Sequence, residues 1–471
     1  MNKKSVLTIV VLIITGCLIL SVGLIAGVIL FRNGLNAPFF SAPTPSPVVN
    51  GTTPGAATTT PGTTGQSGTP IPSDIASQMD EIQQQVMSYR GLKLKGPFTR
   101  DLLTPDQLKQ NVINDFFKDY TPDDAVRDSK ILAAFGLLSP GFDLQQFYIK
   151  LYSEQIAGYY DNKTKSMYVI AGGTFGGTER MTYAHEFTHT LQDQTYDIEN
   201  GLKVNTENCK KDTEYCAAVS ALMEGDASLS EYTWFAQYST ALDKQQVQQF
   251  QQTYTSPVYD SAPEYMKQDF LFPYTQGYDF VNALYGKNKW QSINDAYLNP
   301  PVSTEQILHP EKYPSDKPIA VTVPDFISTL GTGWKELDRN VMGEWYASLI
   351  LDAGIQPTFR LDATTAKTAA AGWGGDTYVF YSDQNKNDFV MAWQSLWETT
   401  KDANEFWNAS LSYANQRWGT AESSSDTSAT WQTSDSGIVT MRKTDTQVLW
   451  TMTPSVEIQS SVLAEIGTFG N

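Results

Sequence analysis

The stretch Ala184–Gln194, AHEFTHTLQDQ, carries His185, Glu186 and His189 in the order H-E-x-x-H. Residues four apart on a helix share a face, so both imidazoles can reach one metal ion. Glu186 lies one step round that helix, where it can deprotonate a water held at the ion. No Gly or Pro interrupts Glu179–Ile198, and Tyr183, Phe187 and Leu191 recur every four residues, so a helix is predicted there. The bland alternative is a surface helix with two solvated or core-satisfied histidines. A catalytic zinc site usually takes three protein ligands plus water. The third histidine, His309, lies far downstream, so the third ligand needs its own argument.

His309 belongs to the compact segment Ser303–Pro310, STEQILHP. Ser303 and Gln306 fit a capping box, and Pro310 stops the helix. His309 therefore falls at a helix C-terminus, where the dipole favours the imidazolium. Two roles stay open. As a cation it could stabilise an oxyanion in catalysis, with Tyr313 as a second candidate. As a structural residue it would cap helix carbonyls. Cys209 and Cys216 are close enough in sequence to close a small disulfide loop in an exported protein, the alternative being two reduced thiols.

The elements that position these residues follow from pattern. Residues 1–4 form a basic tip with Lys3 and Lys4. Ser5–Phe31 carries no charged side chain until Arg32, long enough as a helix to cross the roughly 30 Å hydrocarbon core. The lysines keep the short N-terminus cytoplasmic and send the rest outside. The rival reading is a lipoprotein anchored at Cys17, from Ile14-Thr15-Gly16-Cys17. Residues 32–74 are rich in Pro, Thr, Gly and Ser and read as a disordered spacer. The 471 residues are 41% hydrophobic, ample for a core, and the net charge of −18 argues against a nucleic-acid partner.

Helices are predicted over Ile75–Tyr89, Thr104–Phe117, Pro122–Leu138 and Leu144–Gln155. Ile156–Tyr160 and Ser166–Ala171 then read as a β-hairpin around Asp161–Thr164. Gly172–Gly177 is a loop running straight into the His185 helix, and Ala217–Ala236 is the next helix. Beyond Thr332 two hairpins, Thr377–Tyr381 with Phe389–Trp397 and Ile438–Arg442 with Gln447–Thr453, alternate with helices Asp402–Trp418 and Val456–Ile466. These two ββα units predict one antiparallel sheet backed by helices. Glu344–Ala353 is helical, Gly372–Asp376 a tight turn with an aromatic plug, and Trp393 and Trp397 core.

The H-E-x-x-H helix behind a strand pair resembles the gluzincin zinc peptidases, the thermolysin type. That resemblance implies a third ligand from a glutamate on the next helix, often in the pattern E-G-x-A, which Glu224-Gly225-Asp226-Ala227 matches. It also implies substrate pairing with an edge strand, here Met167–Ala171. The chain departs from thermolysin four residues after Glu224, where Ser228 replaces an aspartate, leaving Asp226 and Asp193 as candidates to orient His185 or His189. With ALMEGDA, STEQILHPEKY and AAAGWGGDTY, the motif is similar to an uncharacterised bacterial group of exported zinc-peptidase-like proteins over roughly Gly141–Trp418.

The expectation is thus an α+β chain: a mostly helical zincin-like domain over 75–331 and an α+β extension over 332–471. It would be a membrane-tethered, extracytoplasmic zinc peptidase acting on protein or peptide substrates. Zn²⁺ would sit on His185, His189 and Glu224, with Glu186 as general base and His309 as a second catalytic candidate. The competing expectation is a non-catalytic cell-surface binding module with a structural or vestigial zinc site.

Overall fold

The computed structural model describes residues 18–20, 71–111, 113–114, 117, 120–170, 175–386, 388–434 and 436–467. In chain order the first half comprises β1 (Leu18–Leu20), α1 (Ser73–Arg90), β2 (Thr99–Leu103), α2 (Pro105–Asn111), α3 (Pro122–Ala134) and α4 (Leu144–Gln155). Then come β3 (Gly158–Asp161), β4 (Ser166–Ile170), α5 (Gly177–Tyr196), the short α6 (Thr206–Cys209), α7 (Thr213–Tyr238), α8 (Ala241–Thr253), α9 (Pro257–Asp260), α10 (Glu264–Leu298) and α11 (Thr304–Leu308). Among the described residues no helix is long and apolar enough to cross a membrane. The expected span Ser5–Phe31 lies outside the described residues except for β1, which is a strand paired with β3, and the expected spacer lies almost wholly outside them.

Local chemistry sets the element ends. Thr121 caps α3 in a capping box with Asp124, and Asp143 caps α4 by accepting from the Gln146 N–H. Asp161 turns the hairpin, its carboxylate accepting from the Lys163 and Thr164 N–H groups. The first sheet runs β1-β3-β4-β2, and β2 joins β4 in parallel, a pairing the sequence reading leaves out. This corrects the expected substrate edge: Met167–Val169 is paired on both sides, by β3 and by β2, so it has no free edge, and Ala171 lies outside the described residues.

After α12 (Ile327–Leu330) the chain builds β5 (Trp334–Asn340), α13 (Gly343–Asp352), α14 (Ala363–Ala370), β6 (Trp373–Asp383), β7 (Phe389–Trp397), α15 (Thr400–Trp418), β8 (Ser423–Ser424), β9 (Ser428–Thr433), β10 (Gly437–Lys443), β11 (Gln447–Thr453) and α16 (Val456–Ile466). Both expected hairpins form, within one seven-stranded antiparallel sheet of order β5-β6-β7-β11-β10-β9-β8. The polar stretch 419–428 contains β8 and the start of β9. Trp373, Trp393 and Trp397 are buried, and Asp376 caps α13 through the Met342 and Gly343 N–H groups. The aromatic plug is therefore structural.

The helical half and the sheet share one core. Phe135, just after α3, packs edge-on against Tyr378, Trp393 and Trp450. In the middle of the helical half, α7 crosses α10 at two glycines. A Cβ on Gly225 would run into the Gly277 backbone, and one on Gly277 into the Ala221 carbonyl. Only backbone on both sides allows this approach. α10 is broken at Asn288 and Lys289, where φ/ψ leave the helical region.

Candidate metal centre

α5 and α7 bring the motif residues together. Met181–Asp193 of α5 and Cys216–Tyr232 of α7 are buried continuously, so neither helix has a solvated face there. The burial excludes solvated histidines at 185 and 189, while core-satisfied ones are compatible with it. The start of α5 is fixed by the Glu179 carboxylate, which accepts the Gly176 N–H at 2.9 Å, and by the Arg180–Asp243 ion pair to α8. The expected disulfide is present between Cys209 and Cys216, with Cα atoms 5.5 Å apart, and ties α6 to the first turn of α7.

His185, His189 and Glu224 offer ligand atoms that all lie within 4.8 Å of one another, and all three side chains are buried. His185 Nε2 lies 3.2 Å and His189 Nε2 3.4 Å from the same Glu224 oxygen, Oε2. Two donors on a tetrahedral zinc with bonds of about 2.0–2.1 Å stand roughly 3.3 Å apart. The two Nε2–Oε2 spacings match that separation, so the group could hold a metal ion. The outer ring nitrogens are also accounted for. His185 Nδ1 is 3.1 Å from Glu231 Oε2, and His189 Nδ1 is 2.8 Å from Gln192 Oε1. Each acceptor takes a proton from Nδ1, so that in the neutral rings Nε2 would be the nitrogen free for a metal.

Those partners differ from the expected ones. Asp226 reaches His189 only through Gln192: the Gln192 Nε2–H₂ donates to Asp226 at 2.9 Å. Asp226 also accepts from Tyr297 and forms a two-pronged, fully buried ion pair with Arg90 at the end of α1. Asp193 turns instead to Tyr160 and Lys165. Sequence reading missed Glu231 and Gln192, although each leaves a signal. Glu231 lies two turns beyond Glu224, and Gln192 lies three residues beyond His189, both on the ligand face.

Burial works to lower the His185 pKa, but hydrogen bonds to Glu224 and Glu231 outweigh it and lift it to about 10. Burial works to raise Glu224, and the charges of His189 and His185 with their hydrogen bonds bring it below the ordinary range. Burial raises Glu231. A metal bound here would have to displace that proton.

Glu186 is buried beside the ligands, and β3 runs against it: a Cβ on Gly158 would stand 3.4 Å from Glu186 Cγ. Tyr274 of α10 completes the group, its ring centred 6.5 Å from that of His185. Burial first, then the carboxylates of Glu224 and Glu186, hold its hydroxyl protonated far above the ordinary tyrosine range. No spacing in the sequence points to Tyr274.

His309 is brought to a different group. It ends α11 as expected, with Ser303 capping that helix, but its Nε2 bonds Glu344 of α13 at 2.8 Å. The Glu344 hydrogen bond raises its pKa against the effect of burial. Tyr313 donates to the Asn299 carbonyl. Among the described residues neither bonds to His185, His189 or Glu224. A second acidic group, Glu305, Asp316 and Glu398, closes around Lys312, whose Nζ lies 2.7, 3.7 and 2.9 Å from them in turn.

A family model described as a domain of unknown function (DUF8575) matches residues 329–463. No curated protein and no solved structure matches the chain. The matched region is the sheet half with α13, so it includes Glu344 but none of His185, Glu186, His189 or Glu224.

Proposed function

We propose that the chain is a zinc-dependent peptidase, tethered by its apolar N-terminal stretch and working outside the cytoplasm on protein or peptide substrates. The observation that carries this reading is the pair of Nε2 atoms converging on one Glu224 oxygen while both Nδ1 atoms are engaged elsewhere. The Cys209–Cys216 disulfide supports an oxidising compartment. His185, His189 and Glu224 would hold the ion, and Glu231 and Gln192 would fix the two rings. Zinc in such a site supplies Lewis acidity towards a carbonyl and a nearby water. Glu186 takes the water's proton on its carboxylate and returns it to the leaving amine. The Tyr274 hydroxyl, kept protonated, donates to the developing oxyanion. His309, paired with Glu344, would bear on catalysis only at longer range.

A structural metal site is the second reading, and the full burial of the two histidines favours it. One pair of measurements separates the two. Elemental analysis of the purified full chain should find one zinc, retained in Glu186→Gln and lost in Glu224→Ala. Mass spectrometry of a peptide library incubated with the zinc-loaded chain should show cleavage. In Glu186→Gln that cleavage should fall by about 10²–10⁴-fold. Unchanged cleavage in Glu186→Gln would end the peptidase reading, and absence of zinc from the wild-type chain would end both.

A further inference from the structure

A cavity of about 710 Å³ lies where the helical half meets the sheet, well apart in composition from the metal centre. Its walls come from α3, the α3–α4 connection and the start of α4 on one side. On the other stand β6, β7 and the end of α15. Its volume falls in the range of about 300–1,000 Å³ typical of small-molecule sites. Phe380 and Phe389 are stacked, with centroids 5.2 Å apart and planes 9° from parallel, and Phe142 and Leu144 face them. On the α3 side Val126 is 58% exposed, an apolar side chain left uncovered at the cavity.

Two cations line the same space, Lys130 and Arg417. Arg417 donates to the Tyr413 hydroxyl at 3.2 Å and the Ala133 carbonyl at 3.3 Å, and its guanidinium lies over Trp418. Those contacts leave several of its five N–H donors unused. Among the described residues neither Lys130 nor Arg417 has a carboxylate partner. One acid lines the cavity, Asp143, but its carboxylate is engaged at the α4 N-terminus by the Gln146 N–H at 3.1 Å. Of the three acids of α3, Asp124 and Asp128 are taken by Arg127, and Asp123 is exposed in the first turn.

We propose that this cavity is a binding site for a small anionic amphiphile: a carboxylate on an aromatic or aliphatic body. The body would lie on the Phe380–Phe389 pair, and the carboxylate would take the free donors of Arg417 and Lys130. Because the walls come from both halves of the molecule, an occupant clamps α3 to the sheet. Binding therefore adds stability that grows with the logarithm of ligand concentration. The site is independent of zinc and of the peptidase reading.

The probe is 4-(1-naphthyl)butanoate, compared with the matching alcohol and amine, titrated calorimetrically into the full chain. The carboxylate should bind at least tenfold more tightly than the alcohol and raise the melting temperature, and the amine should not bind. Lys130→Glu, at a half-buried position of α3 in the cavity wall, should weaken the carboxylate at least tenfold while the free chain still folds. Val126→Trp, which fills the cavity from its open side, should abolish binding. Arg417→Gln should weaken binding too; should it fail to fold, Lys130→Glu and Val126→Trp still decide. Equal affinity for acid, alcohol and amine, no binding at millimolar probe, or unaltered affinity in Val126→Trp would overturn the proposal.

Discussion

Glu231 sits behind His185 with its carboxylate 3.1 Å from the ring, and that single contact sets which nitrogen of His185 is free. Glu231→Gln keeps an acceptor in place and removes the charge, so the ring stays oriented but becomes a poorer donor to a metal. The expected result is zinc affinity lowered by about 10–100-fold with the metal-free melting temperature little changed. Competition against a chelator reads it directly, and wild-type affinity in the variant would show that Glu231 does nothing for the metal. At this scale the sequence is partly transparent. His185, Glu186 and His189 are legible because helical spacing alone puts them on one face, and Glu224 because its neighbours repeat a known pattern. Gln192 and Glu231 obey the same spacing rule but have no reserved letter. Tyr274 arrives from α10, whose relation to α5 no local pattern encodes.

α7 and α10 can approach as they do because Gly225 and Gly277 carry no side chains. Gly225→Ala places a methyl group in the Gly277 backbone, and overpacking of this kind costs about 1–3 kcal/mol or more. Because Glu224 is the adjacent residue, zinc affinity should fall with stability. Gly286→Ala, also on α10, is the control: a Cβ there meets nothing within 4 Å. It should be neutral or stabilise by up to about 1 kcal/mol. Denaturant titration of both variants compares them, and equal stability of Gly225→Ala and wild type would mean that the helices tolerate separation. Most elements were readable from period and caps, including α4 and α16 at their observed ends. What the reading left out were the helices α8, α10 and α14, and short strands whose identity depends on a distant partner. β2 exists because β4 lies beside it, and β8 and β9 because β10 does. The same dependence misplaced the substrate edge on β4.

Burial of acids is a property of the molecule as a whole, and Asp269 shows its cost most clearly. Burial raises its pKa to about 7, although it accepts hydrogen bonds from Trp345 Nε1 and the Tyr346 hydroxyl. An unfolded aspartate titrates near 3.9, so between about pH 4 and 7 the folded state binds the extra proton and stability falls as pH rises. Asp269→Asn removes that titration and can still bond both partners. Melting temperatures of variant and wild type should nearly coincide at pH 4.5, and the variant should be the more stable at pH 8. A constant difference at the two pH values would show that Asp269 does not titrate in this window. The sheet order carries another consequence. β7 is paired by β6 on one side and by β11 on the other, and Phe135 rests partly on Trp450 of β11. During synthesis on the ribosome the helical half is therefore made long before one of its packing partners. Until Gln447–Thr453 has emerged, β7 presents an open hydrogen-bonding edge flanked by buried-type tryptophans. A nascent chain halted before that strand is the form in which this protein is most exposed to chaperones and to self-association.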